Sequence, residues 1–154
     1  MAVIDTNNLV SDFIANTEAI FEDNMRTLGL KEIFDEDVIL VPTVPSLALS
    51  CISFWNTLRT ISSSNVRYQF DFIGDFWYYD SIVDSDMKRN EIMSKAYRIT
   101  RHIIENASLN GFLTNTRAEV KSCIYTPRLR SGVLMASARI VVVAPYQFRV
   151  SSIV

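Results

Sequence analysis

The side chains able to do chemistry are few and scattered. The one histidine, His102, sits between Arg101 and Ile103 on the charged side of a helical pattern. It reads as a surface residue, because a general base needs a nucleophile and an orienting partner within hydrogen-bond reach. Asp80, Asp84 and Asp86 gather ahead of that helix and come nearest to a hard-cation site. Their spacing lacks the regular oxygen donors of a calcium loop, and carboxylates at a helix start already complement the macrodipole. Glycines stand only at 29, 74, 111 and 132, too far apart for a glycine-rich phosphate cradle. Cys51 and Cys123 each lie in a strand-like run, where a free thiol packs as a small hydrophobe; this usage suits a reducing compartment. No catalytic centre, metal site or cofactor is expected.

The arginines stand apart, eleven of them against four lysines. Arginine favours bidentate contact with carboxylate or phosphate. Arg98 and Arg101 fall on an exposed helix face, and Arg128 and Arg130 in a turn. With a net charge of −2 the chain lacks the positive balance of a nucleic-acid binder, so protein carboxylates are the expected partners. The charge is also unevenly placed. Residues 1–40 hold nine acids against two bases, and residues 117–154 hold six bases against one acid. Opposite ends of opposite sign suit head-to-tail contact between copies. Asp35, Glu36 and Asp37 on one side, with Arg117, Arg128, Arg130 and Arg139 on the other, are therefore the subunit-interface candidates.

The elements that must position these residues follow from periodicity. Asn7 or Asn8 opens a first helix, in which Val10, Phe13, Ile14, Thr17, Phe21, Met25 (or Asn24) and Leu28 share a face and Gly29 is the stop. Val38, Ile39, Leu40 and Val41 form a short β-branched run ended by Pro42, and Leu47 to Trp55 is a second extended run. Thr60 to Asn65 is a polar hairpin tip. Val66 to Ile73 alternates as a half-buried strand, and Gly74 predicts a bulge or bend before Phe76, Trp77, Tyr78 and Tyr79. Asp84 to Gly111 is the longest helix, capped by Asp84 or Ser85, with Met93, Ala96, Tyr97, Ile103, Ile104 and Ala107 on its apolar face. Glu91–Lys95 and Arg101–Glu105 are four-residue pairs along it. Ala118 to Tyr125 and Val133 to Val143 close the chain as strands, with Leu134, Ala136, Ala138, Ile140 and Val142 on one face and Pro145 as the terminator. The expectation is one α+β domain over 1–154: a mostly antiparallel sheet covered on one face by two α-helices. No apolar run approaches the ~20 residues of a membrane-spanning helix, and no secretory signal is expected.

This order resembles the tail terminator (tail completion) proteins of tailed bacteriophages, and the small neck proteins related to them. The likeness runs through the capped first helix, the strand ending at Pro42, and the Arg67-Tyr68-Gln69-Phe70-Asp71-Phe72 strand. It continues in the long helix finishing at Leu109-Asn110-Gly111 and in two closing strands with Tyr125 at their turn. The resemblance implies a homohexameric ring on the last ring of the tail tube, ending polymerisation and presenting a docking face to the neck or connector. DNA would pass through its pore. Such a protein is no enzyme and resides in the virion, after assembly in the host cytoplasm. The Ser62, Ser63, Ser64 loop and the Arg128–Gly132 loop, with Arg128 and Arg130, are the candidates for contact with tube or neck. Two alternatives stand beside this one. The first is a ring on the head side of the neck. The second is a small enzyme or ligand-binding domain using Trp77, Tyr78, Tyr79 and the Asp80–Asp86 carboxylates.

Overall fold

The computed structural model describes residues 8–62, 65–82 and 89–151. Asn8 caps the first helix, α1 (Leu9–Glu22), its side-chain oxygen accepting the Ser11 amide at 3.0 Å. That satisfies one of the orphan donors every helix start leaves. The helix does not run on to Gly29. It stops at Glu22, and after Asn24 a single turn, α2 (Met25–Leu28), is closed by Gly29 at φ 73°. Asn24 is the physical reason for the break: its side chain turns back to the Ile20 carbonyl at 3.5 Å, competing with helical backbone bonding.

A seven-stranded sheet follows in the order β1-β2-β4-β7-β5. The strands are β1 (Glu32–Phe34), β2 (Ser46–Ala48), β3 (Cys51–Ser62), β4 (Asn65–Ile82), β5 (Glu119–Tyr125), β6 (Arg128–Arg130) and β7 (Val133–Ser151). β4 and β7 pair antiparallel from Asn65↔Ser151 to Ile82↔Met135 and form the backbone of the fold. β2 and β3 share one side of β4, while β5 and β6 share the far side of β7. Among the described residues only β1 and β2 run parallel. The α+β class expected from the sequence is the one observed.

Four expectations are corrected in detail. Residues 38–41 form no strand; they belong to an irregular strap over 35–45. The run from Leu47 splits into β2 and β3. Gly74 does sit at a bulge, but the extra residue is Ile52 on the partner strand β3, while β4 keeps unbroken register there with β7 through Val142. Glycine is required for space instead, since a Cβ at 74 would stand 2.7 Å from two ring carbons of Phe76. Finally, β7 passes through Pro145. Its partner there is Asp71, and its carbonyl accepts the Thr116 hydroxyl, so the missing N–H lies on the side away from β4, where β5 has already ended.

The long helix, α3 (Arg89–Glu105), ends before Asn110, and Leu109, Asn110 and Gly111 form a positive-φ turn beyond it. Its capping candidates Asp84 and Ser85 lie outside the described residues. The buried stripe is Ile92, Ala96, Ile99 and Ile103, with Tyr97 and Ile104 left 60% and 52% exposed. The expected face was thus turned toward its neighbour. Spacings of four, three and four along 92, 96, 99 and 103 give the straighter seam.

Phe13, Phe21, Phe72, Phe76, Ile99, Ile103 and Val142 are fully buried or nearly so between the helices and one sheet face. Phe13 stacks on Phe72 and Phe76 at 5.7 and 6.2 Å. Ala136 and Ala138 are fully buried in that face, as the approach of a helix to the sheet requires, while Leu134 is 43% exposed beside β6. The opposite sheet face is covered as well, a feature missing from the expected architecture. Ala48, Trp77, Tyr79 and Met135 pack there against Phe34, Val38, Val41 and Val44 of the strap and its flanks.

Candidate functional site

Strand alternation sends Asp75, Trp77 and Tyr79 of β4 to the strap-covered face and Phe76 and Tyr78 to the helix-covered one. Register then places Arg139 of β7 beside Trp77, and β6 brings Arg128 and Arg130 to the same face. The Arg128 guanidinium lies 3.9 Å from the centre of the Trp77 ring, and that of Arg139 lies 5.8 Å from it. Asp75 holds the far side, accepting from Arg139 Nε at 2.5 Å and from Trp77 Nε1 at 3.2 Å.

The strap supplies the counter-charge. Asp37 accepts a forked pair from Arg128, Nη1 at 3.1 Å and Nη2 at 2.9 Å, and a third bond from Arg130 Nη2 at 3.1 Å. Arg128 Nη1 also donates to the Tyr79 hydroxyl at 3.1 Å. One carboxylate therefore clamps two guanidiniums against an indole and a phenol. Such planar bidentate contacts are where arginine exceeds lysine. Burial pushes the Tyr79 phenol above its ordinary range against the opposing pull of Arg130, so it stays protonated at neutral pH.

Three of the interface candidates, Asp37, Arg128 and Arg130, thus meet one another inside a single chain. Arg139 spends its charge on Asp75 of the adjacent strand within the same chain. Asp35, Glu36 and Arg117 remain exposed. Ser62 ends β3, and Ser63 and Ser64 lie outside the described residues. Of the aromatic-and-acid set, Tyr78 points to the opposite face from Trp77 and Tyr79, Asp80 pairs with Lys95 at 3.4 Å, and Asp84 and Asp86 lie outside the described residues.

Two working residues escaped the sequence reading. Asp75 had no visible partner in sequence; its signal was an acid on the inward phase of an aromatic strand. His102 is a half-buried pin rather than a surface residue. Its Nε2 donates to the Ile20 carbonyl and its ring packs on Phe21 at 5.1 Å, tying α3 to α1. Cys51 and Cys123 are free thiols raised by burial, which keeps them neutral and slow as nucleophiles. Among the described residues no three His, Cys, Asp or Glu side chains gather as metal ligands, and no helix is long and apolar enough to cross a membrane. Comparison with models of known protein families and with curated proteins finds no match.

Both carboxylates of the cluster, Asp37 and Asp75, are engaged by guanidiniums. What it can do is hold: it fastens the strap across the second sheet face.

Proposed function

We propose that the protein is a structural component of a phage tail or neck. In this reading it works as a ring of copies that caps the tail tube, ends its polymerisation and offers a docking face to the neck. The observation that carries it is a sheet with two uncovered, unlike edges. Among the described residues β3 pairs with β4 alone, and its Ile52, Phe54 and Trp55 are 54%, 55% and 52% exposed. At the other end, β5 and β6 expose Ile124 and Leu129 at 58% and 62%. Open apolar edges are a hazard in a monomer and an asset in a chain that spends its life against other chains. Unlike edges favour heterologous contacts, which close into a ring when the rotation between successive copies closes and otherwise run on as a filament.

The resemblance in element order supplies the finer reading: six copies, a tail tube protein below, a neck or connector protein above, and DNA passing through the pore. Light scattering with mass resolution tests it, alone and with isolated tail tubes. The expected result is a species several times the 17.6 kDa chain that decorates tube ends. A strict monomer indifferent to tube ends would sink the proposal. Capture of a portal-side protein in place of tube would move the ring to the head side of the neck.

A further inference from the structure

The surface of α3 left open by the core has a complement elsewhere on the same molecule. Met93, Tyr97 and Ile104 form a second apolar stripe on this helix, with Tyr97 and Ile104 more than half exposed. At about 100° per residue they lie roughly 140–180° around the helix from His102. His102 is the residue that reaches across to α1. The stripe therefore points away from α1, on a helix that packs over β5 and β7 at one end of the sheet order. Exposed Arg98, about 100° around the helix from Tyr97, lines a shallow depression together with Tyr97 and Met93, and among the described residues no carboxylate ion-pairs with that guanidinium.

The complement lies at the other end. A cavity of about 290 Å3 between α1 and the end of β1 is lined by Val10, Ile14 and Ala15 together with Asn8, Ser11, Glu18 and Asp35. Its volume suffices for one aromatic side chain. Among the described residues neither carboxylate is in an ion pair. Burial, with the charges of Glu22 and Asp35, pushes the Glu18 carboxyl above its usual range, the mark of acids gathered without a cation.

We infer that these two surfaces are the two halves of one interface between copies. Tyr97 of one chain seats in the α1 cavity of the next, and Arg98 lies between Glu18 and Asp35. This rests on the ring reading above and names the surfaces that make it. Because the halves sit at opposite ends of the sheet, the contact cannot be satisfied within one chain and must run head to tail. It also gives work to the charges that the Asp37 clamp leaves over. Two facing charges with an apolar centre supply both register and affinity.

The test is a charge swap. Arg98→Glu gives one variant, and Glu18→Arg with Asp35→Arg gives the other. Wild type should associate. Each variant alone should stay monomeric, needing roughly thirtyfold or more concentration to assemble. An equimolar mixture should regain the wild-type mass, because each meets in the other the charge it lacks. All three positions are on the surface, and circular dichroism with thermal melting checks that each variant is folded. Either variant assembling alone like wild type overturns the interface while leaving the ring intact. Variants that stay monomeric even when mixed also overturn the pairing, since complementary charge then fails to restore contact. A wild type that never associates overturns the ring reading itself.

Discussion

The two faces of the sheet are covered by opposite means. One face carries helices, and its contacts are apolar: Phe13, Phe21, Phe72, Phe76, Ile99 and Ile103 exclude water together. The other carries a strap without regular structure. It is fastened at its ends by backbone bonds, Lys31 N–H to Pro45 at 2.8 Å and Leu49 N–H to Phe34 at 2.9 Å, and in its middle by the Asp37 carboxylate. The helix side draws its stability from area removed from water, spread over many residues. The strap side depends on directed contacts that one substitution can release. It follows that the first face should fail globally and the second locally.

The largest effect is expected on the helix side. Phe76 is fully buried, stacks with Phe13 and closes over Gly74. Phe76→Ala leaves a cavity that neighbouring rings cannot fill, and should cost about 3–5 kcal/mol. Denaturant unfolding measures it directly. A loss below about 1 kcal/mol would mean that this face is not the cooperative core described above.

Asp37→Asn probes the strap. It removes the charge shared by Arg128 and Arg130, but solvent reaches these groups, so a loss of only about 1 kcal/mol is expected. The local effect should be clearer than the global one. With Trp55→Phe in the background, Trp77 is the remaining indole, and its acrylamide quenching should rise severalfold as the strap lifts. Unchanged quenching would show that Val38, Val41 and Val44 hold the strap without its ion pairs.

The same contrast explains what could be read from the sequence. Both main helices and the alternation of β4 and β7 were legible because each is a local pattern repeated over many residues, and the first helix's cap was narrowed to Asn7 or Asn8, of which the structure uses Asn8. The Arg101–Glu105 pair at 2.7 Å was legible for the same reason. The strap was not. Val38 to Val41 has the composition of a strand, yet among the described residues no strand pairs with it, and packing on Trp77 outweighs propensity. Charge segregation was visible, but its consequence depended on a fold that brings position 37 to positions 128 and 130. An acid and a base ninety residues apart look alike whether they meet within a chain or between two. Asp75 shows the limit most plainly, because only the β4–β7 register reveals Arg139 as its partner.

The smallest effect at neutral pH is also the one that best separates the faces. Tyr78 and Tyr79 are neighbours in β4 on opposite sides of the sheet, and both phenols are raised. For Tyr78 the cause is chiefly burial, with Asp80 adding to it; for Tyr79 burial is opposed by Arg130. A phenol raised in the folded state keeps its proton where the unfolded chain has lost it. Stability is then untouched below the ordinary tyrosine range near 10 and falls as pH climbs above it. Neither residue contributes any pH dependence at pH 7. In an alkaline titration followed by phenolate absorbance, comparing Tyr78→Phe and Tyr79→Phe with the parent, Tyr78 should ionise only as the whole domain unfolds. Tyr79 should ionise first, since lifting the strap exposes it without disturbing the helices. If the two ionise together, the strap and the helical core open as one unit, and the independence of the two faces is lost.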